Sequence, residues 1–115
     1  MKYREVVTYK NYFEDFFKDQ TRKVQDKIIK VLDILENVER VPITYLKYIE
    51  GTNGLFEVRV QQGSNIFRIF CCFDGNRMVD LFSGFQKNKQ KTPQKEIDRA
   101  LKIMNEYFID KNNDQ

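Results

Sequence analysis

The sequence contains no histidine. That absence excludes a catalytic triad, an acid–base pair or a metal cluster built on imidazole side chains. The two cysteines, Cys71 and Cys72, are adjacent, and neighbours on a strand face opposite sides of a sheet, so no disulfide between them is expected. They are also too few for a zinc site, which usually takes four nitrogen or sulfur ligands. We therefore expect no metal and no other cofactor.

Phosphate-cradling glycine loops and long apolar runs are absent too. The longest apolar run, Ile69–Phe73, is far too short to cross a bilayer. Two early basic residues are not followed by an apolar segment, so no secretory signal is expected. A chain of 115 residues suits one domain, residues 1–115, and we expect it in the cytoplasm without a membrane partner.

The positive charge is unevenly distributed along the chain. The net charge is +3, yet residues 59–102 alone carry nine basic and four acidic side chains. This distribution favours a polyanionic partner, and a soluble basic surface without a partner is the alternative.

Hydrophobic periodicity predicts an α+β fold. An alternating opening segment is typical of a strand, and a helical hairpin follows, whose second helix spans about Thr21–Val38. Three antiparallel strands, "LFEVRV", "IFRIFCCF" and "RMVDLFSGF", then form a meander, with the middle strand most buried. A last helix runs from Pro93 to about Phe108, with Thr92 as its N-cap. We expect all helices on one face of the sheet.

Arg68 interrupts the apolar middle strand, where an unpaired arginine would be costly. Either it pairs with a neighbour such as Asp80 or Glu57, or it opens onto a cleft. Arg59 points away from the core-facing row of its own strand, so the two guanidinium groups could share one surface suited to phosphate oxygens.

A lysine tract follows the last strand, with lysines at every second position from 87 to 91. Alternate residues of an extended segment point the same way, so the tract could border the surface of the two arginines. The alternative is a solvent-exposed connection between a strand and a helix.

The segments "LFEVRV", "NIFRIFCCF" and "GFQKNKQKTPQKEI" resemble the RelE/HigB superfamily of bacterial toxins, in particular its phage-derived HigB-like branch. The resemblance implies a RelE/ParE-like fold and the toxin role of a type II toxin–antitoxin system. It implies metal-independent, ribosome-dependent cleavage of mRNA, in which a ribose 2′-hydroxyl attacks the adjacent phosphate. The implied partners are the ribosome, mRNA and a cognate antitoxin, expected to carry a helix-turn-helix.

The same resemblance implies roles for individual residues. Arg68 matches an arginine that contacts the scissile phosphate, Arg59 a basic residue on the preceding strand, and Lys87 a basic residue just after the last strand. Relatives often place a histidine or tyrosine there as general acid, so Lys87 is the candidate acid in this chain. Contacts with the RNA backbone are expected from Lys89, Lys91 and Lys47. The alternatives are a ParE-like inhibitor of DNA gyrase and a non-catalytic basic module that binds RNA or protein.

Overall fold

The structure, a computed structural model, describes residues 2–75, 77–87 and 92–113, with the backbone alone described at 78–84 and 87. Its helices are α1 Tyr12–Lys18, α2 Arg22–Asn37 and α3 Gln94–Asn113. Its strands are β1 Glu5–Thr8, β2 Leu46–Tyr48, β3 Phe56–Gln62, β4 Asn65–Asp74 and β5 Arg77–Lys87. No helix within these ranges is long and apolar enough to cross a membrane.

The strands form one sheet in the order β1-β5-β4-β3-β2. The predicted meander is confirmed as β3, β4 and β5, and the opening strand β1 pairs with β5 in parallel. The antiparallel part has a further strand, β2, which pairs with the start of β3 and which the sequence analysis missed. Three residues are too few to show the alternation by which a strand is predicted.

The helix α2 packs its apolar stripe against the sheet. Its buried residues are Val24, Ile28, Val31 and Leu35, and burying an aliphatic side chain of this size contributes about 1.5–3 kcal/mol. Thr21 caps the first turn, because its hydroxyl accepts a hydrogen bond from the Val24 amide at 3.3 Å. The predicted extent of this helix is therefore confirmed to within one residue at each end.

Helices contact both faces of the sheet, so the expectation that all of them lie on one face is wrong. Phe16 of α1 packs against Phe67, which points to one side of β4. Asp74 shares the opposite row of β4 with Arg68, and it accepts hydrogen bonds from Tyr107 at 2.7 Å and Lys111 at 2.5 Å of α3. Because β4 is apolar on both faces, both faces require cover.

The start of α3 also differs from the prediction. The amides of Glu96 and Ile97 donate to the Pro93 carbonyl at 3.1 and 3.3 Å, and the helix proper begins at Gln94. Thr92 does not act as the N-cap. Its hydroxyl instead donates to the Glu57 carboxylate at 2.9 Å. This hydrogen bond connects the segment just before α3 to the strand β3.

Candidate functional site

The sheet register brings the two predicted arginines together. Arg59 of β3 lies directly opposite Arg68 of β4, so both side chains are on the same face. Two guanidinium groups at this spacing repel each other unless a negative charge lies between them.

Glu57 supplies that negative charge. Its Oε1 lies 3.3 Å from Nε of Arg59 and 3.5 Å from Nε of Arg68, while its Oε2 accepts the hydrogen bond from Thr92. Of the two partners considered for Arg68, Glu57 is the one in contact, whereas the Asp80 side chain lies outside the described residues. The Glu57 side chain is 3% exposed, so this carboxylate holds the arginines from within the protein.

Arg68 is held in place but keeps unused hydrogen-bonding capacity. One terminal nitrogen, Nη1, donates to the Phe67 carbonyl at 3.2 Å. Nε is buried and has no hydrogen-bond partner among the described residues, although it forms an ion pair with Glu57 Oε1 at 3.5 Å. Burial lowers the pKa of Arg68; the Glu57 carboxylate counteracts this shift, and the Arg59 charge adds to it. The side chain stays charged, because arginine is effectively always protonated in proteins.

Both arginines line a cleft of about 590 Å³. The strand β2 begins at Leu46, opposite Val58, so the second half of β3 runs beside the turn that precedes β2. Hydrogen bonds attach that turn to Arg59 of β3, whose amide donates to the Tyr45 carbonyl at 2.8 Å and whose Nη1 donates to the Ile43 carbonyl at 3.5 Å. The cleft opens beside this junction, and its described lining comprises Lys27, Ile43, Thr44, Tyr45, Arg59, Val60, Gln61, Gly63, Ile66 and Arg68.

The lining is strongly cationic. Among the described residues it includes three basic side chains, from Lys27, Arg59 and Arg68, and no carboxylate. A second groove of about 370 Å³ shares Lys27 and continues along α2, where its described lining also includes Lys23, Lys30 and one carboxylate, that of Asp26. Positive charge therefore extends from the arginines along the adjoining helix, an arrangement that suits an extended polyanion.

The predicted lysines have different positions relative to the cleft. Lys47 is exposed on β2 and is not part of the described lining. Lys87 is the last residue of β5 rather than the first after it, and its backbone lies opposite the cleft residue Ile66. The side chain of Lys87, and the whole of Lys89 and Lys91, lie outside the described residues.

The sequence analysis missed two ionisable residues of the described lining, Lys27 and Tyr45. Lys27 belongs to a basic row on α2, in which residues 23, 27 and 30 follow helical spacing, and this pattern could have identified it. Tyr45 lies in a segment without regular periodicity, and no local signal marks it.

This fold is RelE-like. A chain in the crystal structure of the archaeal RelE–RelB complex from Pyrococcus horikoshii OT3 matches with a TM-score of 0.51 and 15% sequence identity. The match covers 78% of this chain and 99% of that one, which confirms the predicted RelE-like α+β fold.

The family model described as phage derived protein Gp49-like (DUF891) matches residues 15–105, so this chain belongs to that family. The predicted phage-derived family is therefore confirmed, and the likeness to RelE is one of fold. No curated protein sequence matches the chain.

Proposed function

We propose that this protein is the toxin of a toxin–antitoxin system and that it cleaves mRNA on the ribosome. The observation that carries the proposal is the pair of arginines held by the buried Glu57 at the wall of a cleft with no carboxylate in its described lining. The RelE-like fold and the membership in the phage-derived family support it.

The proposed reaction is an attack of a ribose 2′-hydroxyl on the adjacent phosphate. The 2′-oxygen forms a bond to phosphorus while the bond from phosphorus to the 5′-oxygen breaks, which leaves a cyclic phosphate and a 5′-hydroxyl. Negative charge accumulates on the phosphate oxygens in the transition state. Arg68 and Arg59 would stabilise that charge, and the loss of one such donor typically costs about 10²–10³-fold in rate.

Glu57 has a positioning role in this proposal. Its carboxylate is buried and is shared between two guanidinium groups and the Thr92 hydroxyl. These contacts fix both arginines before substrate arrives, so little reorganisation is needed when the phosphate charge develops.

The proposed partners are the ribosome with its mRNA and a cognate antitoxin with a helix-turn-helix. A cationic cleft favours an antitoxin that presents carboxylates to it or covers it, because complementary charge accelerates association and suppresses wrong partners. The matching archaeal RelE was crystallised in complex with RelB, which supports a protein partner for this chain.

The test is induced expression in a bacterial host, with growth, primer extension on translated messages and a DNA-damage reporter as readouts. Arg68→Gln removes a cleft guanidinium, whereas Arg40→Gln removes the same charge from an exposed loop. We expect growth arrest and RNA cleavage from the wild type and Arg40→Gln, and neither from Arg68→Gln.

Thermal melts of all three proteins must accompany these assays, since loss of cooperative folding in Arg68→Gln would assign that arginine a structural role instead. DNA damage without RNA cleavage would support the ParE-like alternative. Binding of RNA or antitoxin without either effect would support the non-catalytic module.

A further inference from the structure

One phenol lines the cleft beside the two arginines. Tyr45 is half-buried, and its ring packs against the hydrophobic core. Its hydroxyl makes no hydrogen bond within the described ranges, whereas the side chains of Arg59, Gln61 and Arg68, which share the cleft, are each hydrogen-bonded or ion-paired. No other described group of the protein therefore engages this hydroxyl.

The backbone of Tyr45 is fixed relative to Arg59. Its amide donates to the Pro42 carbonyl at 2.9 Å, and the amide of Leu46 donates to the same carbonyl at 3.2 Å. Its own carbonyl accepts from the Arg59 amide at 2.8 Å. The turn thus places a phenol and a guanidinium on adjacent backbone segments at one wall of the cleft.

The proposed cleavage needs a proton donor at the 5′-oxygen. This oxygen would otherwise leave as an alkoxide, and a positioned acid typically contributes about 10²–10⁴-fold to such a step. The arginines cannot serve, because guanidinium does not deprotonate in proteins. Besides Lys87, the candidate from the sequence, whose side chain lies outside the described residues, Lys27 and Tyr45 are the side chains of the described lining able to release a proton in this way.

The placement of the two residues separates their roles. Lys27 continues into the basic row of α2 with Lys23 and Lys30, a position suited to neighbouring phosphates. Tyr45 adds no charge to the cleft, so its hydroxyl offers hydrogen bonding and proton transfer but no attraction for a polyanion.

We propose that Tyr45 is the general acid of the cleavage, an assignment that rests on the proposed function. As the 2′-oxygen bonds to phosphorus and loses its proton to water, the bond from phosphorus to the 5′-oxygen breaks. The Tyr45 hydroxyl gives its proton to that departing oxygen, and the phenolate then takes a proton back from water. Atoms and charge balance without any further reactant.

The test uses a synthetic mRNA bound to ribosomes, with either oxygen or sulfur at the 5′-bridging position of the cleaved bond. A thiolate leaves without protonation, because a thiol is far more acidic than an alcohol, with a pKa of about 8.5 for cysteine. Single-turnover rates are measured for the wild type, Tyr45→Phe and Arg68→Gln. Tyr48→Phe is the matched control, since its hydroxyl bonds to the Thr52 carbonyl outside the cleft.

We expect Tyr45→Phe to cleave the oxygen substrate about 10²–10⁴-fold more slowly than the wild type and the sulfur substrate at nearly the wild-type rate. Arg68→Gln should be slow on both substrates, and Tyr48→Phe should match the wild type on both. Affinity for a 2′-deoxy substrate, which cannot be cleaved, should be unchanged in Tyr45→Phe.

Two results would overturn the assignment of Tyr45 but not the proposed function. One is cleavage of the oxygen substrate by Tyr45→Phe at the wild-type rate, and the other is an equal loss of rate on both substrates. The second result would give Tyr45 a role in shaping the cleft. A wild-type protein that cuts neither substrate would overturn the proposed function and, with it, this assignment.

Discussion

Replacing Glu57 by glutamine tests whether the buried carboxylate holds the arginine pair. The substitution keeps the shape of the side chain and its carbonyl acceptor for Thr92, but it removes the negative charge between Arg59 and Arg68. Both guanidinium groups then face each other across β3 and β4 without compensation.

We expect Glu57→Gln to cause a large loss of stability, although it replaces only one oxygen of the side chain by an amide nitrogen. Arg68 is 9% exposed, so it stays desolvated when its partner is lost, whereas Arg59 is 25% exposed and water screens much of its charge. Breaking a buried ion pair from one side costs about 3–5 kcal/mol. Because glutamine keeps one hydrogen bond, we expect the lower end, about 3 kcal/mol. Since domains are stable by about 5–15 kcal/mol, this is a substantial fraction of the total.

Urea denaturation followed by circular dichroism measures the effect. With a slope of about 1.5 kcal/mol per molar urea, Glu57→Gln should lower the unfolding midpoint by about 2 M. Glu50→Gln, at an exposed turn, is the matched control and should leave it nearly unchanged.

The double variant Glu57→Gln with Arg68→Met removes the uncompensated charge, and we expect it to be more stable than Glu57→Gln alone. A loss below about 1 kcal/mol in Glu57→Gln, or no recovery in the double variant, would refute the reasoning.

Three further changes probe the surroundings of the site. Thr92→Val removes the hydroxyl that donates to Glu57, so it should lower the free energy of unfolding by about 1 kcal/mol and also lower the cleavage rate. Thr92→Ser keeps the hydroxyl and should keep both values near those of the wild type. Equal behaviour of the two variants would contradict this. Lys111, and then Tyr107, lower the pKa of Asp74, so its contribution to stability is present above the ordinary carboxyl pKa and is lost as pH falls through the lowered value. Asp74→Asn should therefore weaken the dependence of the urea midpoint on pH in the acid range, and an unchanged dependence would argue against the contact. Replacing the lysines at 87, 89 and 91 by glutamine should reduce the salt dependence of RNA binding by about two units of logarithmic slope, and an unaltered slope would reduce the tract to a solvent-exposed connection.

Local patterns were sufficient to predict most of the fold. Apolar periodicity predicted α2, and alternation along "LFEVRV" correctly placed Arg59 off the core-facing row of its strand. The position of α3 was not predictable in this way. Its contacts with Asp74 and the link from Thr92 to Glu57 join residues more than thirty positions apart.

The same distinction explains what the sequence showed of the site. Alternation predicts which face a strand residue is on, but it does not predict how deeply the residue is buried, because depth depends on what packs over that face. Glu57 and Arg59 are equivalent by alternation, yet the Glu57 side chain is 3% exposed and that of Arg59 is 25% exposed. Thr92 bonds to Glu57, whereas Arg59 borders the opening where β2 has not yet begun. The positions of α3 and β2 thus decide that Glu57 is buried and that Arg59 faces the cleft, although both lie on the same side of β3. For this reason, the arginines, and Glu57 as one of two possible partners of Arg68, could be nominated from the sequence, while the burial of Glu57 between both arginines and the tyrosine beside them required the structure.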